Sequence, residues 1–393
     1  MGLPNVNITR SNNNLGRTVN TTDNVFAMLL SGAAVASKIA LGEAKLFTSI
    51  DDLTTYGITS SNNALAFAEI TAFYSLAAAG TKLWVMLYAN TSLLATVCDK
   101  DSGAIRTLVD STSGELDGVF VNKVLPGGYT ISLTEGLDDD VWNAVTKLQA
   151  LCEDFGSRNL PFFSVVPGFG FLKANAGTMR DLNTMTKNQV AINLGSDVVG
   201  GKPAIGALAG WLADNEYYHN AGRVASGSVL DAAYFMDGTA ADSKDIVNNL
   251  GTLHDRRYIF FRKFNGKSGF YFNDDPTACS VTDDFSSISW NRVANKAQKL
   301  AYSVLVEKLN GDVDTDPISG GIARSLVSDW EGDVEAAINN AMTKKGAISA
   351  VKCIIDPDQV NLTTDSMDAT IQIVRKGQAK TINVAIGYVP TIG

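Results

Sequence analysis

A mixed α/β fold, with helices packed on a largely parallel sheet and an extended strand at each chain end, is what this 393-residue sequence predicts. Apolar runs of buried-strand length recur with helix-length amphipathic segments between them, the spacing of βαβ units. The composition, 45% hydrophobic and 19% charged with 35 glycines, supports a large core divided by many turns and excludes a disordered chain. Both chain ends alternate apolar and polar residues with no local partner strand.

The first end segment, Val6-Asn7-Ile8-Thr9-Arg10, gives way to Ser11-Asn12-Asn13-Asn14 and Gly16-Arg17, a stretch with little packing to restrain it and suited to a hinge. Val25 to Leu30 is a continuous apolar run ended by Ser31-Gly32, and Lys45 to Leu53 reads as a strand running into a turn. Asn62 or Asn63 can cap a helix from Ala64 to Ala79, with Leu65, Ala68, Phe73 and Leu76 on one buried face and Gly80 closing it. Thr81 to Tyr88 then reads as a central strand, so the unit is βαβ.

The same alternation continues. Strands are expected at Gly118–Val121, Pro161–Pro167 and Gln189–Leu194, with helices at Asp138–Phe155, opened by three acids, and Pro203–Glu216. Arg257–Phe264 and Ser268–Phe272 flank Asn265-Gly266, a hairpin signal. Helices at Ser289–Leu309 and Ser319–Met342 precede three closing strands, near Ser349–Asp356, Ala369–Arg375 and Thr381–Val389.

Motifs for catalysis are sparse. His219 and His254 are the two histidines, and no Gly-x-Ser-x-Gly elbow accompanies them. The glycines at 168, 170, 200 and 201 fit neither phosphate-loop pattern and read as turn glycines. Cys98, Cys152, Cys279 and Cys353 are too scattered for a zinc cluster or disulfide framework; they read as reduced, buried thiols of a reducing compartment. Asp138–Asp140, Asp274-Asp275 and Asp312-Asp314-Asp316 read as caps and solvated loops, not metal sites. Arg256, Arg257, Arg262, Lys263 and Lys267, interleaved with aromatics, have the look of a nucleic-acid platform, but the acidic body repels phosphate. The most apolar long stretch, Val25 to Leu41, carries Ser31, Gly32, Ser37 and Lys38 and is too polar to span a bilayer, and no signal peptide is visible. No catalytic residue, cofactor or metal is expected.

Charge separates the ends from the middle. Arg10 and Arg17 stand at one end, and Arg375, Lys376 and Lys380 at the other, with no acid in residues 1–22 or 369–393. With a formal net charge of −9 overall, those five cations leave −14 on residues 23–368. Exposed alternating strands are templates for pairing with another chain, so Val6 and Ile8 at one end and Ile382, Val384 and Ile386 at the other are candidate intersubunit contacts, with the five cations beside them. The competing expectation is that both are edge strands of the chain's own sheet. The helix from Ser319 to Met342 carries Trp330, Glu331, Asp333 and Glu335, with Lys344-Lys345 at its end.

The order of features resembles the contractile tail sheath proteins of bacteriophages and phage-like injection devices. The resemblance rests on the N-terminal strand followed by Gly16-Arg17 and Asp23-Asn24-Val25-Phe26-Ala27-Met28, on Phe47-Thr48-Ser49-Ile50-Asp51-Asp52-Leu53-Thr54-Thr55-Tyr56-Gly57 with the helix and strand after it, and on Ala369-Thr370-Ile371-Gln372-Ile373-Val374 leading into the terminal arm. It covers roughly residues 1–90 and 285–393. The family's glycine pair before the strand at Leu83 is reduced to Gly80, and its arginines there are missing, which points to a divergent branch.

The resemblance implies a discontinuous sheath core built from both chain ends, with an inserted outer α/β domain and terminal β-arms. Its expected divisions are an arm at 1–22, a first core part at 23–90, an outer domain at 91–280, a C-terminal core at 281–376 and an arm at 377–393. It further implies six-membered rings stacked around a tail tube, arms that donate strands to neighbouring subunits, and contraction by rigid-body movement. Tube, baseplate and tail-terminator proteins are the implied partners, without direct nucleic-acid binding or membrane insertion. Assembly is expected in the bacterial host cytoplasm, with the product carried in the virion. Glu331 and Glu335 are candidate tube-facing residues. An α/β enzyme and a surface or adhesion module are the alternative readings; the first needs a catalytic constellation, the second an export signal.

Overall fold

A computed structural model describes residues 23–318, 320–359 and 366–388. The N-terminal arm candidates Val6, Ile8, Arg10 and Arg17 lie outside them. The fold is mixed α/β, as expected, and its centre is the first apolar run. Strand β1 (Phe26–Gly32) is buried at all seven positions, a pattern that demands cover on both faces and a neighbour on both edges. In chain order there follow β2 (Ala44–Phe47), α1 (Ala64–Leu76), β3 (Leu83–Ala89), α2 (Ala104–Ser111), β4 (Gly118–Asn122), α3 (Asp139–Ser157), β5 (Phe163–Pro167), β6 (Val190–Asn193) and α4 (Ile205–Asp214).

The strands form one six-stranded sheet in the order β2-β3-β1-β4-β5-β6. All neighbours are parallel except the edge strand β2, which runs antiparallel to β3. The division expected at residue 90 therefore passes through a sheet. Phe26 to Gly32 pairs with Leu83 to Ala89 on one edge, and Phe26 to Leu30 with Gly118 to Asn122 on the other, so neither half can bury β1 alone.

Helix α1 buries Leu65 and Phe73 of the expected face, but the buried stripe is rotated toward Ala66, Glu69 and Ile70. Ala66, Ile70 and Phe73 are fully buried, with Leu65 and Glu69 nearly so, whereas Ala68 and Leu76 are half-buried. The cause is α4, which crosses α1 so closely that a Cβ on Gly206 would lie 2.0 Å from the Glu69 carbonyl oxygen. Asn63 occupies the N-cap position, but its side chain is spent on the end of β1, accepting from the Ala33 N–H at 2.7 Å and donating to its carbonyl at 3.1 Å.

Two short strands, β7 (Phe261–Arg262) and β8 (Tyr271–Phe272), are what remains of the expected hairpin. The ladder stops there because Phe270 is taken by another segment: its N–H donates to Leu230 O at 2.7 Å, and its carbonyl accepts from Val229 at 2.8 Å. Two members of the basic cluster are spent internally, while Lys263 and Lys267 are exposed. Arg257 is buried and donates to the carbonyls of Thr277 and Ser286, and Arg256 donates to that of Met179.

Helices α5 (Ile288–Leu305) and α6 (Arg324–Ile338), with strands β9 (Ile348–Ile355) and β10 (Ala369–Arg375), complete the described elements that matter here. Val293, Ala297, Leu300 and Val304 of α5 belong to a second hydrophobic core with Val334 and Ile338 of α6 and Cys353, Ile355 and Ile371 of the β9–β10 pair. Ile288 at the start of α5 packs instead into the core beneath the six-stranded sheet. Its far side is tied to that first body by Gln298, donating to Gly156 O at 2.7 Å, and Lys299, donating to Leu116 O at 2.5 Å. Helix α5 is thus the member shared by both cores.

The four cysteines are free and buried. Asp138 is the N-cap of α3, as expected, its carboxylate accepting from the Asp140 N–H, but Asp138, Asp140, Asp274 and Asp275 are buried rather than solvated. Asp138 and Asp140 flank the buried Lys123 ammonium, and Asp140 also accepts from the Leu94 and Ala95 N–H groups. No group of three or more metal-ligating side chains comes together among the described residues, and no helix there is long and apolar enough to cross a membrane.

Candidate assembly site at the arm roots

Of the residues assigned to subunit contact, Arg375 and Lys380 come to the start of α5. Its face carrying Ser289, Arg292 and Lys296, at positions i, i+3 and i+7, receives the described beginnings of both arms within about 10 Å along the axis. At the N-terminal root, Lys296 pairs with Asp23 and the Arg292 guanidinium donates to Asn24 Oδ1. Burial pulls both cations below their ordinary pKa, Arg292 to about 10, while for Lys296 the hydrogen bond and charge of Asp23 work in the opposite direction.

At the C-terminal root, β10 delivers Arg375 onto the face of Trp290, 3.4 Å from the ring centroid. Beyond Gly377, the Gln378 amide nitrogen donates to Ser289 Oγ at 3.2 Å and Lys380 Nζ bonds Asp274 Oδ2 at 2.5 Å. Asn220 donates to Oδ1 of Asp274 at 2.6 Å and of Asp275 at 2.5 Å. Asp275 Oδ2 accepts from the Ser289 N–H at 2.9 Å, at the helix end where the backbone dipole favours an anion. Burial opposes ionisation of Asp274, but the charge and hydrogen bond of Lys380, with Asn220, outweigh it and hold that carboxyl below its ordinary range. Asp275 has no cation of its own; burial, and then the adjacent Asp274, push it up to about 7.

Arg375 and Lys380, which the sequence places among the candidate intersubunit contacts, are therefore engaged within their own chain. Lys376 is exposed. Ile382, Val384 and Ile386 stand 78%, 74% and 95% exposed, and residues 381–388 form no strand within the single chain, leaving an alternating apolar segment fully in solvent.

Glu331 and Glu335 lie half-buried on α6 and reach the edge of β9. Glu331 Oε1 accepts from the Ile355 N–H at 2.8 Å, and Glu335 Oε1 from the Cys353 N–H at 2.9 Å and from Lys352 Nζ at 2.9 Å. The fit is geometric: four helical residues advance about 6 Å, close to the roughly 6.6 Å of two strand residues. These carboxylates satisfy backbone donors of their own subunit, which the charge pattern of the helix alone does not reveal. Asn220 and Trp290 carry no sequence signal for this site, and Asp274-Asp275 reads there only as a cap or solvated loop. Ser286-Ser287 ahead of an apolar helix was the one available signal that Asp275 stands at a helix start.

Models of the N-terminal and C-terminal domains of DUF2586 match residues 3–276 and 284–392. No curated protein matches the sequence. Several solved structures share the fold from end to end. A chain of the sheath complex of an extracellular contractile injection system, PVC, in its contracted state aligns over 99% of this chain and 98% of its own, at 14% identity and a TM-score of 0.61. The helical sheath of the anti-feeding prophage (AFP) in its contracted state aligns over 100% of both chains at 12% identity and 0.59. A chain of the contracted AFP baseplate aligns over 98% of both at 13% identity and 0.63.

Proposed function

The chain belongs to the DUF2586 family, and we propose that it is the structural subunit of a contractile tail sheath, polymerising as stacked six-membered rings around a tube and contracting to drive that tube through a target envelope. The observation that carries this reading is the end-to-end match with sheath chains, including the segment beyond β10 that projects from the body with its apolar side chains in solvent. An extended chain of this pattern gains its missing hydrogen bonds and buries Ile382, Val384 and Ile386 by adding to a sheet edge of another copy. The N-terminal arm, with Val6, Ile8, Arg10 and Arg17, is given the same task. A tube protein, baseplate and tail terminator are the further partners, the assembly forms in the bacterial cytoplasm, and the product is a virion or injection-device tail.

A non-enzymatic role fits the sheet. Open α/β sheets bind ligands beyond the carboxyl ends of their strands where the strand order reverses, here beside β1 and β4. That position is filled by protein: Asn63 clamps Ala33, Ser31 Oγ accepts from Val124 N at 2.6 Å, and Asn122 donates to Glu69 at 2.8 Å. Negative-stain electron microscopy of the purified full chain tests the proposal. Ribbed cylinders are expected; monodisperse single particles at every concentration and salt tried contradict it.

A further inference from the structure

The C-terminal root is held unlike the rest of the molecule. We propose that residues 375–380 form a releasable latch, which fixes the root of the C-terminal arm to the N-terminal end of α5 in the free subunit and lets go when a second copy pulls the arm. The use of such a latch rests on the sheath reading; its existence does not.

The root is held by polar and cation–π contacts: Arg375 and Lys380 over Trp290, Gln378 with Ser289 and Asn220, and Lys380 on Asp274. The segment from Gly377 to Thr381 forms one wall of a half-open cavity of about 490 Å³, with Val281 and Trp290 on another, so space is left beside it. Contacts of this kind reform after breaking, whereas a packed core opens only by unfolding. Gly377 has open space around it and sits where β10 ends, the natural pivot between the fixed strand and the latched segment.

The keeper side retains internal partners without the arm. Asn220 still donates to both carboxylates, and Ser289 Oγ still has Ser287 Oγ at 3.1 Å. What is lost on release is the cation bound to Asp274 and the hydrogen bonds of Gln378 with Ser289 and Asn220. The groups facing the pair are then Arg257 from before β7 and Arg292 of α5, both already committed to other acceptors. Two adjacent buried carboxyls without Lys380 retain a proton more strongly, so release is coupled to proton uptake. Because the N-terminal root is tied to Arg292 and Lys296 of the same helix, tension on either arm is delivered to α5.

Spin labels on Val281→Cys and Thr381→Cys test the latch on the lone subunit, since the four native thiols are buried and Val281 is 63% exposed. The two positions border the same cavity, so the parent should show strong dipolar broadening. Lys380→Gln or Asp274→Asn should abolish it, as Thr381 then ranges over roughly 10 Å about Gly377. Lys380 is 37% exposed, so its substitution does not threaten the fold. Broadening equal in parent and both variants, or absent from the parent, overturns the latch. Broadening lost on substitution in a protein that never forms cylinders keeps the latch and removes the sheath; cylinders from a parent without broadening do the reverse.

Discussion

Around β1 the chain is held by shape. Phe26 is fully buried, with Phe120 and Phe163 edge-on to it at 5.4 and 5.9 Å. Around the first turn of α5 it is held by charge, with Lys380, Asp274, Asp275 and Asn220 doing what aromatic rings do in the sheet. Shape-held contacts are made once, during folding; charge-held contacts beside a cavity can be broken and remade in a folded protein. A subunit that must stay intact while its links to neighbours change direction needs the first kind in its body and the second at its joints.

The largest test of that contrast is in the sheet. Phe26→Ala should cost about 3–5 kcal/mol, read as a lower urea midpoint, because the hole opens between two rings that cannot close over it. A loss below about 1 kcal/mol contradicts a packing-held body.

The pH dependence of stability probes the joint. Asp275, raised to about 7 in the folded chain, favours the fold while protonated; that contribution is present below the ordinary carboxylate range and is lost as pH rises toward 7. Asp274, depressed, has the opposite sign: its contribution is present above the ordinary range and lost as pH falls through its folded value. Asp275→Asn should therefore flatten the decline in melting temperature between about pH 4 and 7 that the parent shows. A variant whose profile in that window parallels the parent's shows that the pair does not titrate in this way.

A smaller effect is expected on α6. Glu331→Ala and Glu335→Ala should each cost about 1 kcal/mol and speed hydrogen exchange at the Ile355 and Cys353 amides, because the lost acceptors are intramolecular. Unchanged exchange would show that neither carboxylate is spent on β9, leaving both available as tube-facing residues. The smallest effect is expected at Lys376. With Arg375 and Lys380 engaged in their own chain, Lys376→Glu should change the rate of polymerisation by light scattering about twofold or less; a tenfold drop would show that arm charge steers assembly after all.

How much of this the sequence discloses depends on whether the cause is local. Phe26 to Leu30 announces a two-sided buried strand by itself, and the helices at 139–157 and 288–305 announce themselves by periodicity and first-turn residues. Which strands flank β1 is not written in β1, and so the break expected at residue 90 fell across the sheet. Asp274-Asp275 looks like a solvated turn because what buries it comes from elsewhere: Asn220 lies 54 residues before Asp274 and Lys380 106 residues after it. The same distance hides the engagement of Arg375 and Lys380, whose charge is legible and whose partners are not. Glu331 and Glu335 read as surface acids because a helix does not show that a strand edge lies beside it.

The central claim is that subunits are joined by the arm beyond the latch, with the body folding independently of it. Deleting residues 381–393 removes Ile382, Val384, Ile386 and Tyr388 while leaving Lys380 and every contact of the latch in place. Sedimentation velocity of this truncation beside the full chain, with unfolding followed on both, is the direct measurement. The account predicts a folded monomer with the parent's melting temperature that forms no cylinders; cylinders of normal length from the truncated chain would contradict it.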